Sequence, residues 1–352
     1  MYTYKAGQPQ TGFNQQYAST RNSSLCIPKL EVQIPSTIVR KRKTLEMSSD
    51  VITQASFQYR GECNKDTVAG LRDLKEIEDF LFNSQSGSEG KWTHIQAIMP
   101  ALQEMDAKRQ KPPNRYAEWR EWEFEKWLRL EGQGADIQYF RDNRISNSWL
   151  KPAIQLKSSG FINSLLLQSN LYLTSAILSR GRPNRNKTCG RRETAVETIS
   201  HVSGCCPSVK NARIKCHNKI ADQLRKHVSK HRWTSQVEPR LFAKGGSLWK
   251  PDLIFKKDQK IAVVDVTVRY ENDSKALEMA WRGKSEEYKH LNAEVMEWMG
   301  SSEPKYFGFV MGTRGKWPGL NNSLMKFLGV EEFETFSQKT SRLTLSLTLE
   351  VL

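Results

Sequence analysis

The sequence predicts an α+β protein with a mainly helical first half, a basic middle segment and an α/β region closing the chain. Three observations predict it. Residues 253–255 and 261–268 are short, apolar, β-branched runs separated by the polar 256–259, the pattern of a hairpin of buried strands. Residues 114–131 carry apolar and aromatic side chains at helical spacing between Pro112-Pro113 and Gly132, a start and a stop for a helix. The third is charge: the 352 residues hold 54 Lys and Arg against 38 Asp and Glu, a net +16. Of that excess, 16 Lys and Arg against 4 Asp and Glu fall within 181–250, which points to a phosphate-rich partner.

Taken in order, residues 1–24 are rich in Gln, Ser, Thr, Asn and Tyr without an apolar period and predict a disordered tail. Residues 36–47 predict a basic helix whose Arg40-Lys41-Arg42-Lys43 reads either as a nuclear-import signal or as a solvated face. An amphipathic helix follows over 66–83, then a Ser/Gly loop over 84–90. In the helix over 114–131, Tyr116, Trp119, Phe124, Trp127 and Leu128 fall mostly on one face and are expected in the core. Further helices are expected over 161–172, over 215–230 and from 274 through Tyr288 to about Met299. Residues 306–311 predict a core strand, and the spacing of 342–352 fits strand and helix alike. The domain boundaries expected are 1–24, 25–180, 181–232 and 233–352. No apolar run is long enough to span a membrane, and six scattered cysteines without a secretory leader argue for thiols or a metal site rather than disulfides.

The chemistry concentrates in the hairpin. Pairing across 256–259 brings Asp252 to the neighbourhood of Val264 and Asp265, so two carboxylates meet at one end of a sheet. Two carboxylates roughly 5 Å apart repel by about 3 kcal/mol at an effective dielectric near 20. Proteins relieve this by protonating one acid or by placing a divalent cation between them. Without further residues, a turn-capping Asp252 and a strand-end Asp265 explain the pair equally well. The segment that follows adds Lys284, on one helical face with Ala280 and Tyr288, able to lean over the acids.

Pro251-Asp252, then Asp265, then a lysine resembles the PD-(D/E)xK nucleases. The lysine usually stands two residues after the second acid, where this chain has Thr267. In the restriction-like endonuclease of site-specific non-LTR retrotransposons it has moved to the following helix, in an A-x3-K-x3-Y frame that Ala280, Lys284 and Tyr288 resemble. The same family carries a C-x2-C-x8-H-x4-C zinc knuckle. Cys189, His201 and Cys206 keep its spacing, while Arg192 stands at the second cysteine position. Tetrahedral structural zinc needs four ligands, so either Cys205, Cys216 or His217 completes the set or the knuckle is held by packing alone. Residues 25–28 and 132–150 are similar to the family's thumb start and its linker.

The resemblance covers about 25–352 and implies the C-terminal part of a retrotransposon protein of the type that inserts in ribosomal genes. It implies a helical thumb/linker region, a knuckle and a restriction-endonuclease-like α/β domain. It further implies Mg²⁺- or Mn²⁺-dependent hydrolysis of a DNA phosphodiester, with Asp252 and Asp265 as metal ligands and Glu238 joining them. Lys284 would position the water, with Tyr288 beside it. Arg191, Arg213, His217, Arg225, Lys226, Arg232 and Lys250 are the expected nucleic-acid contacts. Expected partners are double-stranded target DNA, element RNA and a second copy of the protein, in the nucleus, with no membrane. The polymerase palm motif is absent from this sequence, so the nick would serve copying done elsewhere in the element. A catalytically silent DNA- or RNA-binding remnant is the alternative.

Overall fold

The computed structural model describes residues 115–151, 158–182, 184–273, 275–300 and 303–352, with 47–53 and scattered positions between 33 and 45. The expected tail over 1–24, helix over 66–83 and loop over 84–90 lie outside them. Within the basic segment, Thr37, Arg40, Lys41, Thr44 and Leu45 are helical, and the hydroxyls of Thr37 and Thr44 donate one turn back to Gln33 and Arg40 carbonyls. The chain divides into two compact units whose boundary among the described residues lies between Lys126 and Trp127, inside helix α1 (Arg115–Leu128). Phe124 and Trp127 are buried, as the aromatic spacing predicts. Gly132 follows at φ +78°, a left-handed turn that suits glycine and ends the helical run.

The second unit opens with a turn-rich linker, then α2 (Ser158–Gln168) and the single turn α3 (Ser175–Leu178). A short hairpin, β1 (Thr188–Cys189) and β2 (Arg192–Val196), leads into α4 (Ile199–Gly204). The Thr198 side chain accepts from the His201 N–H and caps α4. The long α5 (Lys210–Ser229) buries Cys216, Ile220, Ala221, Leu224 and Val228, an i, i+4 stripe with the cations outside.

Next comes β3 (Thr234–Val237), then a small separate hairpin, β4 (Leu241–Phe242) with β5 (Leu248–Trp249). The predicted central hairpin forms as β6 (Leu253–Lys257) and β7 (Lys260–Arg269), antiparallel with Leu253 opposite Val264. The main sheet has the order β3-β6-β7-β8, and β8 (Lys305–Gly312) runs parallel to β7. A parallel neighbour requires a crossover, here supplied by α6 (Ala276–Glu286) and α7 (Asn292–Met299). The sequence predicts one continuous helix here; the helix instead breaks after Glu286, and a 3₁₀ turn over Lys289–Leu291 re-aims the chain. The chain ends with α8 (Asn321–Phe327) and α9 (Glu334–Val351), which decides the ambiguous tail as helix.

One core lies between one face of the sheet and α5, α8 and α9, with Phe255, Val264, Phe309, Trp317 and Leu347 at its centre. A smaller core on the other face joins Leu241, Ile254, Ile261, Val263, Tyr288, Leu291 and Val295. The sheet is covered on both faces, so its central strands read as continuous apolar runs rather than alternating ones.

Candidate nuclease site

Asp265 is the single carboxylate in the apolar run of β7, and its strand neighbour across β8 is Gly308. A Cβ at Gly308 would stand 2.5 Å from the Trp281 carbonyl oxygen. Glycine is required there for α6 to lie directly on the strand, and that close approach delivers Lys284. Its ammonium reaches Asp265 Oδ2 at 2.6 Å and Glu287 Oε2 at 2.8 Å. Asp265 Oδ2 is fully shielded and lacks hydrogen-bond geometry, so the lysine contact is an ion pair.

Asp252 enters from the start of β6. Its Oδ2 accepts from the Val266 N–H at 2.6 Å and pairs with His217 Nε2 at 3.0 Å. The same imidazole nitrogen lies 3.1 Å from the Val266 carbonyl, and Nδ1 lies 3.0 Å from Asn218 Oδ1. The Asp252 carboxyl opposes ionisation of Asp265, as two neighbouring acids do when no cation lies between them. Burial first, then Asp252, push the Asp265 pKa up against the pull of Lys284. Burial also opposes ionisation of Asp252, but His217, Asp265 and the Val266 N–H outweigh it and hold its pKa down. The hydrogen bond to Asp252 raises His217 to about 9, against the cost of burial. Lys284 is raised as well, because Asp265 and Glu287 outweigh burial. The donor set fits a hard, oxygen-seeking divalent cation: two neighbouring buried acids, each paired with a cationic side chain.

The remaining expected residues fall in different places. Tyr288 is buried against the small core, donates its hydroxyl to the Lys250 carbonyl at 3.1 Å and stacks edge-on against Trp249. Burial raises its pKa, so the phenol stays protonated. Glu238 is exposed at φ +46°, its backbone N–H donating to the Asp252 carbonyl. Among the described residues no cluster of three close carboxylates forms around Asp252 and Asp265.

At the knuckle, Cys189, His201 and Cys206 converge, their ligand atoms all within 4.8 Å of one another. The two Sγ atoms are 3.9 Å apart, and His201 Nε2 is buried without a partner. Burial raises the Cys206 thiol pKa, but the Ser208 N–H, Cys189 and the Val209 N–H together hold it down. Two thiol sulfurs and an orphaned imidazole nitrogen, three donors in all, fit zinc. Cys205 Sγ lies 3.5 Å from His201 Nδ1 but outside the trio, and Cys216 is buried in the main core with its thiol pushed up to about 12 by burial.

Arg213, expected on phosphate, instead donates to the Gly204 and Cys206 carbonyls and ties the knuckle to α5. Arg225 and Lys226 both pair with Asp222 at 2.6 Å. Arg191, Arg232 and Lys250 are exposed. Two adjoining clefts share Gly204, Thr267 and Arg269. One, of about 450 Å³, is lined by Lys210, Arg213 and His217; the other, of about 880 Å³, by Ser200, Gly283 and Lys284. The knuckle's Ser200, Ser203, Gly204 and Cys205 thus line the same clefts as His217 and Lys284, the two partners of the acids. No described helix is long and apolar enough to cross a membrane.

No family model matches the chain. It is similar to a retrovirus-related Pol polyprotein from the type-1 retrotransposable element R2 of Popillia japonica, 29% identical over 208 residues, covering 58% of this chain and 34% of that protein. Another R2 Pol polyprotein of Popillia japonica is 33% identical over 143 residues, 40% of this chain and 32% of its own length. One from Nasonia vitripennis is 29% identical over 143 residues, 40% of this chain and 14% of its own length. The chain thus spans about a third or less of the length of these curated relatives. The relatives in which this sequence finds its likeness are R2 retrotransposon Pol polyproteins, each matched over part of its length.

Proposed function

We propose that this chain is the endonuclease part of an R2-like retrotransposon protein, a restriction-endonuclease-like domain that nicks target DNA to prime reverse transcription. The observation that carries the reading is the Asp252–Asp265 pair with Lys284 2.6 Å from Asp265. Asp252 and Asp265 would hold Mg²⁺ or Mn²⁺, which when bound polarises a phosphate and lowers the pKa of a coordinated water. Val266 and His217 fix the Asp252 carboxylate from one side. Lys284, held between Asp265 and Glu287, orients the attacking water and meets the negative charge that develops on the phosphoryl oxygens. Lys210, Arg269 and Lys250, on the clefts and their approach, supply phosphate contacts that position the duplex without reading its sequence. Target DNA, element RNA and a second copy are the partners, in the nucleus. Zinc would sit on Cys189, His201 and Cys206.

The test is nicking of supercoiled plasmid in Mg²⁺ by the purified chain beside Asp252→Ala and Lys284→Ala. Nicking by the parent protein and a loss of at least about 100-fold in either variant is expected. Equal nicking by all three would mean a contaminating nuclease and sink the assignment. Chelation should remove about one zinc per chain and lower Tm, with Cys206→Ser metal-free from the start; a protein purified without zinc and insensitive to chelator overturns the knuckle. The three-donor knuckle, with Arg192 where the family has cysteine, favours the second reading, a binding remnant. That reading predicts salt-dependent DNA binding with no metal-dependent cleavage.

A further inference from the structure

The hairpin β4–β5 stands two residues before Asp252 and has two apolar faces. Residues alternate across such a ribbon, and Leu241 opposite Trp249 forms the inner pair. Leu241 is buried and Trp249 packs against the same small core, with Trp249 edge-on to both Tyr288 and His290. The outer pair is Phe242 opposite Leu248, 62% and 46% exposed. An outward face of a two-stranded ribbon is ordinarily polar; here a phenyl ring and an isobutyl group stand side by side in solvent. The ribbon turns through Gly245-Gly246, with Gly246 at φ +80°. From 239 to 250 the sequence has Arg240, Lys244 and Lys250 and no acid. All three cations are exposed.

We propose that Phe242 and Leu248 form a wedge that enters a duplex DNA base step beside the scissile phosphate. This rests on the reading of the chain as a DNA nuclease. Apolar side chains of this kind unstack base steps when neighbouring cations hold the backbone. Arg240, Lys244 and Lys250 flank the apolar pair with the charge a phosphate backbone requires. The anchor is also specific to the site: Tyr288 donates to the Lys250 carbonyl and packs on Trp249, so the ribbon is fixed to the chain segment that follows the Lys284 helix. A distortion made at the ribbon is therefore held at a set distance from the acids. It would open the backbone for in-line attack.

The experiment uses the full chain bound to relaxed closed-circular plasmid in chelator-free buffer without Mg²⁺ or Mn²⁺, where no strand is cut and the knuckle keeps its metal, followed by treatment with a metal-independent topoisomerase. A wedge unwinds DNA and shifts the linking number in proportion to bound protein. Phe242→Ser/Leu248→Ser, substitutions at exposed positions, should lose the shift at matched occupancy while keeping salt-dependent binding; Phe242→Trp should keep the shift. An undiminished shift in the double variant overturns the wedge and leaves the apolar pair to a protein partner. Binding by the parent chain with no shift also overturns it, while nicking activity keeps the nuclease reading standing. Failure of the parent chain to bind plasmid at low salt overturns both.

Discussion

Asp252 Oδ2 meets two donors from different elements, the Val266 N–H on β7 and the His217 imidazole on α5. The backbone donor fixes where the oxygen lies, and the imidazole fixes the plane of the carboxylate and supplies positive charge. Removing the imidazole leaves a carboxylate that can rotate and a buried acid pair with one cation fewer. Second-layer groups of this kind are worth about 10–100-fold in metal affinity or rate. His217→Ala should therefore slow nicking by about that factor and raise the Mg²⁺ concentration for half-maximal rate, with DNA binding at low salt little changed. A Mg²⁺ titration of nicking reads this; an unmoved midpoint would assign His217 to phosphate rather than to Asp252. The two acids and Lys284 were legible because strand pairing and a helical four-residue spacing are local rules. The sequence places His217 among the nucleic-acid contacts, yet it meets Asp252, 35 residues away, through the way α5 crosses the sheet, which no periodicity reports.

Between elements, the decisive contact is α6 on β8 at Gly308. Any side chain there meets Trp281 backbone, with a Cβ 2.9 Å from its Cα as well as 2.5 Å from its oxygen. Backbone cannot rotate aside as a side chain can, so the helix must lift. Overpacking of this kind costs about 1–3 kcal/mol, and the displaced element carries Lys284. Gly308→Ala should lower Tm modestly and reduce nicking by more than the unfolded fraction explains, about 10-fold or more at temperatures where the variant is fully folded, since misplacement by an ångström costs catalysis heavily. Circular dichroism melting alongside the nicking rate separates the two losses; a rate that tracks only folding would show the spacing to be tolerant. Sequence reading found both strands of the central hairpin and the crossover helix, because buried β-branched runs and helical apolar stripes announce themselves. It missed the break after Glu286: Lys289–Leu291 carries no glycine or proline, and the turn is imposed by Tyr288 and Leu291 docking into the small core. The ambiguous tail became helix because α9 packs along α5, where Gln223 donates to Thr340.

At the scale of the whole second unit, the linker and the core around the main sheet are joined by a buried charge network absent from any sequence pattern. Arg314 is fully buried, and its Nε reaches Glu271 Oε2 at 3.3 Å while Nη2 donates to the Glu271 carbonyl at 3.1 Å. Glu271 also accepts from the Thr313 hydroxyl and the Arg314 N–H. On the linker side, Arg314 Nη1 points to Asn170 Oδ1, and its Nη2 lies 3.7 Å from Asp136. Asn170 in turn donates to the Gly132 and Ala135 carbonyls and accepts from the Tyr270 hydroxyl. The guanidinium also faces the rings of Phe140 and Tyr270. Such residues read in sequence as surface charges; only the fold puts them inside. Truncating one partner leaves the other charge buried and unpaired, which costs about 3–5 kcal/mol, whereas removing both charges costs far less. Arg314→Ala should thus lower the unfolding free energy by about that amount, and Arg314→Met with Glu271→Gln should recover much of it. Urea unfolding followed by tryptophan fluorescence measures both. Trp149 on the linker side and Trp317 on the core side report on both parts of the second unit, so that unit should unfold in one transition, and Arg314→Ala should split or broaden it. A loss near 1 kcal/mol with a single sharp transition would mean that apolar packing, and not this network, binds the linker to the core around the main sheet.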